Sequence, residues 1–213
     1  MQQVSEGRRG RQGRQRPADK FVERREQLAR SALATLAELG YARTSLREIA
    51  QNSEFSHGVV HYYFDDKLDL IIECVRLYKA ECATRYDEVV ATSATAAELA
   101  TGFADAMAET LQAEAKMHRL WYDLRAQALF EDSFRADVRE IDARLEEMIW
   151  SVVSRYSELA EVACVQGRRQ AYALFDGTFQ QALLRWLSGD TDTPDDLRGD
   201  VTRLLDLIVP AQR

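Results

Sequence analysis

The spacing of the apolar residues constrains the fold of this chain more than any other feature of its sequence. These residues recur mostly three and four positions apart, which places them on one face of an α-helix, and no regular run has the period of two that a strand requires. Helix-forming residues dominate, and only three prolines occur among 213 residues. The sequence therefore predicts an all-α fold.

The composition excludes several classes of protein. With 46% hydrophobic residues the chain can bury a core, yet no apolar run reaches the length of a membrane span. Charged residues near the N-terminus argue against a signal peptide. We therefore expect a cytoplasmic, globular protein that makes no contact with a membrane.

Neither a metal centre nor a catalytic motif is predicted. Cys74, Cys82 and Cys164 form no CxxC pair and are odd in number, so buried free thiols are expected, with a redox role for Cys74 and Cys82 as the alternative. The sequence contains no GxSxG, HExxH, P-loop or GxGxxG motif. We expect neither enzymatic activity nor a cofactor.

Charge is unevenly distributed along the chain. Residues 1–67 contain 12 basic and 9 acidic side chains, whereas residues 68–213 contain 16 and 26. Five arginines lie within residues 8–17, among glycine and glutamine. This composition predicts a disordered basic arm over residues 1–19, which either neutralises DNA phosphates or is simply solvated.

Three helical segments follow the arm. Apolar spacing and capping residues predict a helix over residues 21–39 ended by Gly40, a second from Thr44 or Ser45 to about residue 52, and a third from Ser56 to about residue 62. The turn between the second and third helices is so short that they must cross steeply, and the first helix closes a small core. The arrangement is a helix-turn-helix.

The third helix exposes small and hydrogen-bonding residues, which suit the major groove of DNA. This face consists of Ser56, His57, Val59, His61 and Tyr62, and Gly58 lets the backbone come close. His57 and His61 are also spaced like two zinc ligands on one helix face, although no third ligand is near in the sequence. Two surface histidines without a role are a further alternative.

Residues 40–71, GYARTSLREIAQNSEFSHGVVHYYFDDKLDLI, resemble the DNA-binding domain of TetR-type transcriptional regulators. The shared pattern is a glycine, Thr-Ser, a helix ending in Ile-Ala, a turn, Ser-x-Gly and an aromatic pair before Phe-x-x-Lys. The resemblance implies that Arg47 and the third helix contact bases, while capping and junction residues contact phosphates. The residues expected to contact DNA are Thr44, Ser45, Arg47, Ser56, His57, Gly58, Val59, His61, Tyr62, Tyr63 and Lys67.

Two residues depart from the family pattern. His61 stands where the family usually has tyrosine, which makes DNA binding sensitive to pH. Glu54 stands where the turn often has glycine. Either its negative charge weakens DNA binding, or the turn avoids a left-handed backbone.

The chain beyond residue 67 is predicted to form further amphipathic helices. The first runs from Lys67 to about Val90, and a break is expected within residues 91–99. The resemblance implies a small-molecule pocket between the fourth and eighth helices, with ordinary core packing as the alternative. The candidate pocket residues are Tyr78, Phe103, Met107, His118, Trp121, Tyr122, Arg125 and Phe175.

The last two helices, over residues 168–187 and from Pro194 onward, have an apolar surface too broad for a solvent-facing helix. Gly177 in the first of them indicates close approach of another helix. The resemblance implies a four-helix dimer interface, and an intramolecular core is the alternative. The expected interface residues are Leu174, Gly177, Thr178, Gln181, Leu184, Arg185, Leu204 and Ile208.

These expectations together describe a homodimeric repressor. A DNA-binding domain at residues 20–66 binds an inverted-repeat operator in double-stranded DNA, and an unknown small-molecule effector bound within residues 67–213 releases it. Because Glu54 and the acidic body oppose DNA, a helical protein-binding adaptor with a degenerate helix-turn-helix is the alternative.

Overall fold

The computed structural model describes residues 17–210, which form ten α-helices and contain no β-strand. The all-α prediction is confirmed. The predicted basic arm falls mostly on residues 1–16, which lie outside the described residues, but residues 17–19 belong to the first helix rather than to the arm. The helices are α1 Pro17–Arg43, α2 Leu46–Gln51, α3 His57–Tyr63, α4 Lys67–Cys82, α5 Asp87–Thr92, α6 Ala96–Ala113, α7 Ala115–Gln127, α8 Arg135–Ala160, α9 Arg168–Leu187 and α10 Thr193–Ile208.

Capping residues set the ends of the first three helices. Gly40 ends the regular part of α1 with φ 75° and ψ 173°, a conformation open almost only to glycine. Ser45 begins α2 with a capping box, in which its hydroxyl accepts from the Glu48 amide at 3.2 Å and the Glu48 carboxylate accepts from the Ser45 amide at 2.8 Å. The Ser56 hydroxyl accepts from the Val59 amide and begins α3. The predicted helix ends at Gly40, Ser45 and Ser56 are confirmed.

The helix-turn-helix is packed against α1 and α4. Ile49, Val60 and Phe64 are at most 2% exposed and belong to the same core as the buried residues of those two helices. Arg25 of α1 donates to the carbonyl oxygen of Tyr63 at 2.6 Å and forms an ion pair with Asp69 of α4. Helices α1, α3 and α4 are therefore joined by both apolar and polar contacts.

Helix α4 ends at Cys82, well before the end predicted near Val90, so that prediction is wrong. Tertiary contacts explain the break. Arg85 leaves the helical path and donates to the Glu114 carboxylate at 2.6 Å, while Tyr86 is only 5% exposed. A continuous helix would point these two side chains in other directions. The chain instead turns and resumes as α5.

Helices α6, α8, α9 and α10 pack against one another. The break predicted within residues 91–99 is confirmed, since α5 ends at Thr92 and α6 begins at Ala96. Pro194 lies in the first turn of α10, as predicted. Within the described residues, no helix is both long enough and apolar enough to cross a membrane.

The three cysteines are free, as predicted. Cys74 and Cys82 are buried, whereas Cys164 is half-buried rather than buried. The Cys74 thiol donates to the Ala29 carbonyl oxygen at 3.1 Å, and burial raises the pKa of this thiol well above its usual value. A thiol that stays protonated in this way packs as a small apolar group and reacts poorly.

Candidate functional site

Helix α3 presents a face that points away from the core. Val59 is half-buried at its edge, and Arg47 of α2 lines the same shallow depression as Ser56. A helix with this pattern of exposed small and hydrogen-bonding residues can enter the major groove of DNA. The exposed residues of α3 are His57, Gly58, His61 and Tyr62.

His57 and His61 contact each other on this face. Their Nε2 atoms lie 3.2 Å apart, and their ring centroids lie 4.4 Å apart. One ring nitrogen donates and the other accepts, so at least one of the two rings is neutral when the contact forms. In the part of the chain that the structure describes, no group of three His, Cys, Asp or Glu side chains could hold a metal ion. Among those described residues, His57 and His61 therefore have no third side chain beside them that could complete a zinc site.

The hydroxyl groups predicted to bind phosphate differ in their accessibility. Ser45 and Ser56 are exposed, and because each hydroxyl oxygen accepts from a helix amide, its O–H can still donate to a phosphate. Thr44 is only 3% exposed, and its hydroxyl donates to the Gly40 carbonyl oxygen at 2.7 Å. The expectation that the Thr44 side chain contacts DNA is therefore wrong, because this side chain closes the turn after α1.

An aromatic cluster of Phe21, Tyr62 and Tyr63 lies beside α3. The Phe21 ring centroid lies 4.8 Å from that of Tyr63 and 6.2 Å from that of Tyr62. Tyr62 is 72% exposed, whereas Tyr63 and the neighbouring Lys67 are half-buried. Phe21 thus packs against two residues that are predicted to contact DNA, although its place in the first helix gave no sign of this.

The turn between α2 and α3 does not need the glycine that the family pattern often has. Among residues 17–210, Glu161 is the only residue other than glycine with a positive φ. Glu54 therefore has an ordinary backbone conformation. Of the two interpretations of Glu54, this favours a turn that avoids the left-handed region.

A small cavity of about 60 Å³ lies between α4 and the helices that follow it. Pockets for small molecules commonly measure roughly 300–1,000 Å³, so side chains of the wall must move to admit such a ligand. Much of the wall is apolar or aromatic. Residues of this kind include Met107, Trp121, Leu145, Ile149, Phe175 and Phe179.

Lys79 of α4 also lines this cavity and is only 3% exposed. Its Nζ lies 3.4 Å from Nδ1 of His118 and 5.3 Å from the ring centroid of Trp121. Burial lowers the pKa of Lys79 to about 8, so the ammonium remains the main form at neutral pH. Burial and the nearby Lys79 charge hold the pKa of His118 well below its usual range, so its imidazole is neutral.

Two carboxylates connect α7, α8 and α9 at one side of the cavity. Asp176 accepts from the Tyr122 hydroxyl at 3.0 Å and pairs with the Arg125 guanidinium. Arg125 also lies 3.3 Å from the carboxylate of Asp142, which accepts from the Tyr172 hydroxyl at 2.7 Å. Burial raises the pKa of both tyrosine hydroxyls, which therefore stay protonated and donate. A single guanidinium therefore serves two carboxylates, Asp142 and Asp176.

Helices α9 and α10 leave an open groove on the outside of the molecule. Leu184, Leu187 and Leu207 on these helices are 63%, 42% and 56% exposed. Gly177 lines the groove, and no atom would lie within 4 Å of a Cβ added to it. Within residues 17–210, no other helix makes the close approach that Gly177 indicates.

The predicted interface residues differ in where they lie relative to the groove. Those that line the groove are Gly177, Thr178, Gln181, Arg185 and Leu204, while Leu184 is exposed on α9 and Leu174 is half-buried. Ile208 is fully buried, and its carbonyl oxygen accepts from the Val165 amide at 2.8 Å. The expectation that Ile208 contacts a partner is therefore wrong, because this side chain packs in the core of its own chain.

The residues that build the helix-turn-helix also match a known family. Residues 28–74, which begin in α1 and end in α4, match the sequence model of the bacterial regulatory proteins of the tetR family. Residues 28–74 therefore have the sequence of a tetR-family DNA-binding domain. No curated protein is significantly similar in sequence to this chain.

Solved structures share the fold of this chain over most of its length. A TetR transcription regulator from Haloarcula marismortui ATCC 43049 has a TM-score of 0.72 at 19% identity, over 89% of this chain and 100% of that one. A Saccharomonospora viridis protein in complex with choline has a TM-score of 0.70 at 18% identity, over 90% and 100%. The transcriptional regulator FadR from Bacillus subtilis, in complex with stearoyl-CoA, has a TM-score of 0.66 at 20% identity, over 88% and 98%. At these identities the likeness shows a shared fold.

The structure brings together only some of the pocket residues predicted from the sequence. Three do not line the cavity: the Tyr78 hydroxyl donates to Glu114, Phe103 is buried in the core, and Arg125 pairs with Asp176. Their side chains meet partners on other helices, which the sequence alone does not reveal. The predicted residues that do line the cavity are Met107, His118, Trp121, Tyr122 and Phe175.

Sequence reasoning missed most residues of the cavity wall, among them Lys79, Asp176 and Phe179. One signal for Lys79 was available: it lies four residues after Val75 and three before Cys82, on the apolar stripe of α4. A lysine within such a stripe either extends to solvent or is buried with its charge. In this structure Lys79 is buried.

Proposed function

We propose that the chain is a ligand-responsive transcriptional repressor that acts in the cytoplasm as a homodimer on an inverted-repeat operator. Residues 20–66 form the DNA-binding domain, and residues 67–213 form the ligand-binding and dimerisation domain. The observation that carries this proposal is the exposed polar face of α3, which a buried core holds against α1 and α4.

Two kinds of DNA contact are proposed. Base-edge contacts determine which sequence is preferred, and we assign them to Arg47, His57, Val59 and His61. Phosphate contacts set the position of the protein and make binding sensitive to salt. We assign these to Ser45, Ser56, Tyr62, Tyr63 and Lys67, with Gly58 allowing close approach of the backbone.

The groove between α9 and α10 is the proposed dimer interface. A second copy of the chain would bury the exposed Leu184 and Leu207 and could place a helix against Gly177. Arg185 and Asp200 both line the groove, so a two-fold related copy can bring unlike charges together. A two-fold axis at this place allows the two α3 helices to enter successive major grooves.

The cavity is the proposed effector site. Stearoyl-CoA in FadR and choline in the Saccharomonospora viridis protein are small molecules bound by proteins of this fold. The cavity of this chain has a largely apolar and aromatic wall, which suits a small molecule once the wall side chains move apart. These observations support an effector without identifying it.

Two helices connect the cavity to the DNA-binding domain. Lys79 lines the cavity, and about three turns earlier in α4 Asp69 pairs with Arg25 of α1. Helix α7 makes a second connection, since Arg119 donates to the Ala37 carbonyl oxygen of α1 at 2.7 Å. A ligand that binds more tightly to another position of α4 or α7 therefore changes the position of α1 and with it the affinity for the operator.

Selection of bound sequences from a random duplex pool, at two salt concentrations, tests this proposal. We expect the wild-type chain to enrich an inverted repeat. Arg47→Ala should reduce the enrichment, whereas Arg144→Ala, which removes an exposed arginine from α8, is the matched control and should not. Salt-sensitive binding without any enriched sequence would contradict sequence-specific regulation. A stable complex with another protein and no affinity for DNA would favour the adaptor.

A further inference from the structure

We propose that the effector is a compact organic anion, a carboxylate on an apolar body, and that Lys79, His118 and Trp121 bind the carboxylate. This inference rests on the proposed function of the cavity as the effector site. It adds the chemical class of the molecule that the site selects.

Lys79 places a positive charge at the cavity that no carboxylate contacts directly. Within the described residues, no Asp or Glu forms an ion pair with its ammonium, whereas the other charged groups of the wall are paired. Arg85 pairs with Glu114 at 2.6 Å. Asp176 pairs with Arg125. The carboxylates of Glu114 and Asp176 act on the Lys79 ammonium from beyond ion-pair distance, whereas an anionic ligand in the cavity would contact it directly.

The neighbouring rings of His118 and Trp121 offer hydrogen-bond donors. The Lys79 ammonium donates toward Nδ1 of His118, 3.4 Å away, so the neutral imidazole has its proton on Nε2. Nε2 of His118 and Nε1 of Trp121 are both buried and have no hydrogen-bond partner in the part of the chain that the structure describes. All three side chains line the same cavity, so this part of its wall presents donors that require an acceptor.

The rest of the wall fits an apolar body. Met107, Ile149, Phe175 and Phe179 contribute hydrocarbon and aromatic surface to the same cavity. Of the three tyrosines in the wall, Tyr122 and Tyr172 already donate their hydroxyl protons to the carboxylates of α9 and α8. A ligand with one polar end at Lys79 and an apolar remainder therefore satisfies both parts of the cavity.

A carboxylate fits Lys79 better than other charged groups do. An ionised carboxylate has one negative charge and accepts hydrogen bonds without donating them, which matches one ammonium and two N–H donors. A phosphate monoester has roughly 1.5 to 2 negative charges at neutral pH, which exceeds the single positive charge of Lys79. A quaternary ammonium ion would add a second positive charge to a buried site that already holds one.

Isothermal titration calorimetry of the full chain with matched probes tests the inference. The acids are phenylacetate, hydrocinnamate, phenylbutyrate and octanoate, the neutral probes are their primary amides, and choline chloride is the cationic probe. At pH 7 we expect at least one acid to bind roughly tenfold or more tightly than its own amide, and choline not to bind. If no acid binds more tightly than its amide, including the case in which no acid binds at all, the inference is wrong.

Two variants of Lys79 identify the group responsible. Lys79→Met keeps the length of the side chain and removes its charge, so the preference for acid over amide should fall to about one while the affinity for the amide stays the same. Lys79→Gln serves the same purpose if the methionine variant does not fold, as judged by cooperative thermal unfolding. Arg144→Ala removes an exposed charge and should keep the preference. A Lys79 variant that keeps it would overturn the inference.

The inference and the proposed function can fail separately, because calorimetry requires no operator. If an acid binds with the expected preference but leaves operator affinity unchanged, the proposed release mechanism fails and the assignment of the ligand class stands. If an amide or choline binds in the cavity and releases the operator, the proposed function stands and the ligand class is wrong.

Discussion

Replacing Lys79 with methionine should stabilise the protein near neutral pH. Lys79 is 3% exposed, and burial lowers its pKa to about 8 from an ordinary value of 10.5. The folded state therefore holds the ammonium less favourably than the unfolded chain, in which water surrounds it. Methionine has a similar length and no charge, so it can pack against the same aromatic rings without this penalty.

The size and the pH dependence of the effect follow from the two pKa values. A pKa difference of one corresponds to roughly 1.4 kcal/mol, so a decrease from 10.5 to about 8 is a penalty of about 3 kcal/mol. Below pH 8 both states of the wild-type chain bind the proton and the full penalty applies. Between about 8 and 10.5 the unfolded state binds more protons than the folded state, so wild-type stability rises with pH. Above this range both states are neutral and the penalty disappears.

Urea unfolding of the wild type and of Lys79→Met, at one protein concentration across this pH range, measures the effect. The variant should be more stable by about 3 kcal/mol at pH 7 and by little once the lysine is neutral in both states. Only the difference between the two proteins is informative, because other groups titrate in the same range. The groups that surround Lys79 are common to both proteins and are Cys82, Arg85, Glu114, His118 and Asp176. A difference that does not change with pH, or a variant less stable than wild type at pH 7, would refute the reasoning.

The remaining predictions concern the helix ends and the dimer surface. Gly40→Ala should lower the free energy of unfolding by roughly 1–3 kcal/mol in urea titrations, because φ 75° and ψ 173° are unfavourable for alanine. Ser45→Ala, which removes a cap from α2, should cost about 1 kcal/mol in the same assay, and equal stability would argue against the capping box. Gly177→Ala should weaken dimers in sedimentation experiments, although no other residue that the structure describes contacts the new methyl group. Leu184→Glu should give monomers, whereas Leu129→Glu, at a leucine that is 77% exposed elsewhere, should leave the dimer intact.

The helix-turn-helix could be predicted from the sequence because its determinants are local. Gly40, Ser45 and Ser56 act on backbone groups within a few residues of themselves, and they appear in the sequence at the spacing that caps require. The exposed face of α3 follows from the helical period once its first residue is fixed. For the same reason the bounds predicted for α9, residues 168–187, agree with the structure.

The errors arise where contacts between distant segments decide the outcome. Helix α4 ends earlier than predicted because Arg85 donates to Glu114, which lies between α6 and α7. No local sequence pattern indicates this contact. Arg125 does not line the cavity and instead pairs with Asp176. Lys79 does line the cavity, although lysine side chains usually extend into solvent. The prediction that Ile208 of α10 contacts a partner is wrong, because an apolar stripe does not indicate whether a partner or the same chain covers it.

The most direct test of the proposed function compares the affinity of the chain for two duplexes. Fluorescence anisotropy at one fixed salt concentration would use the selected inverted repeat and a scrambled duplex of the same composition. We predict binding of two chains per inverted repeat, with an affinity at least roughly a thousandfold higher than for the scrambled duplex. The ratio should fall for His57→Ala and stay unchanged for Arg144→Ala. Equal affinity of the wild-type chain for both duplexes would contradict the claim that α3 reads the bases of an operator.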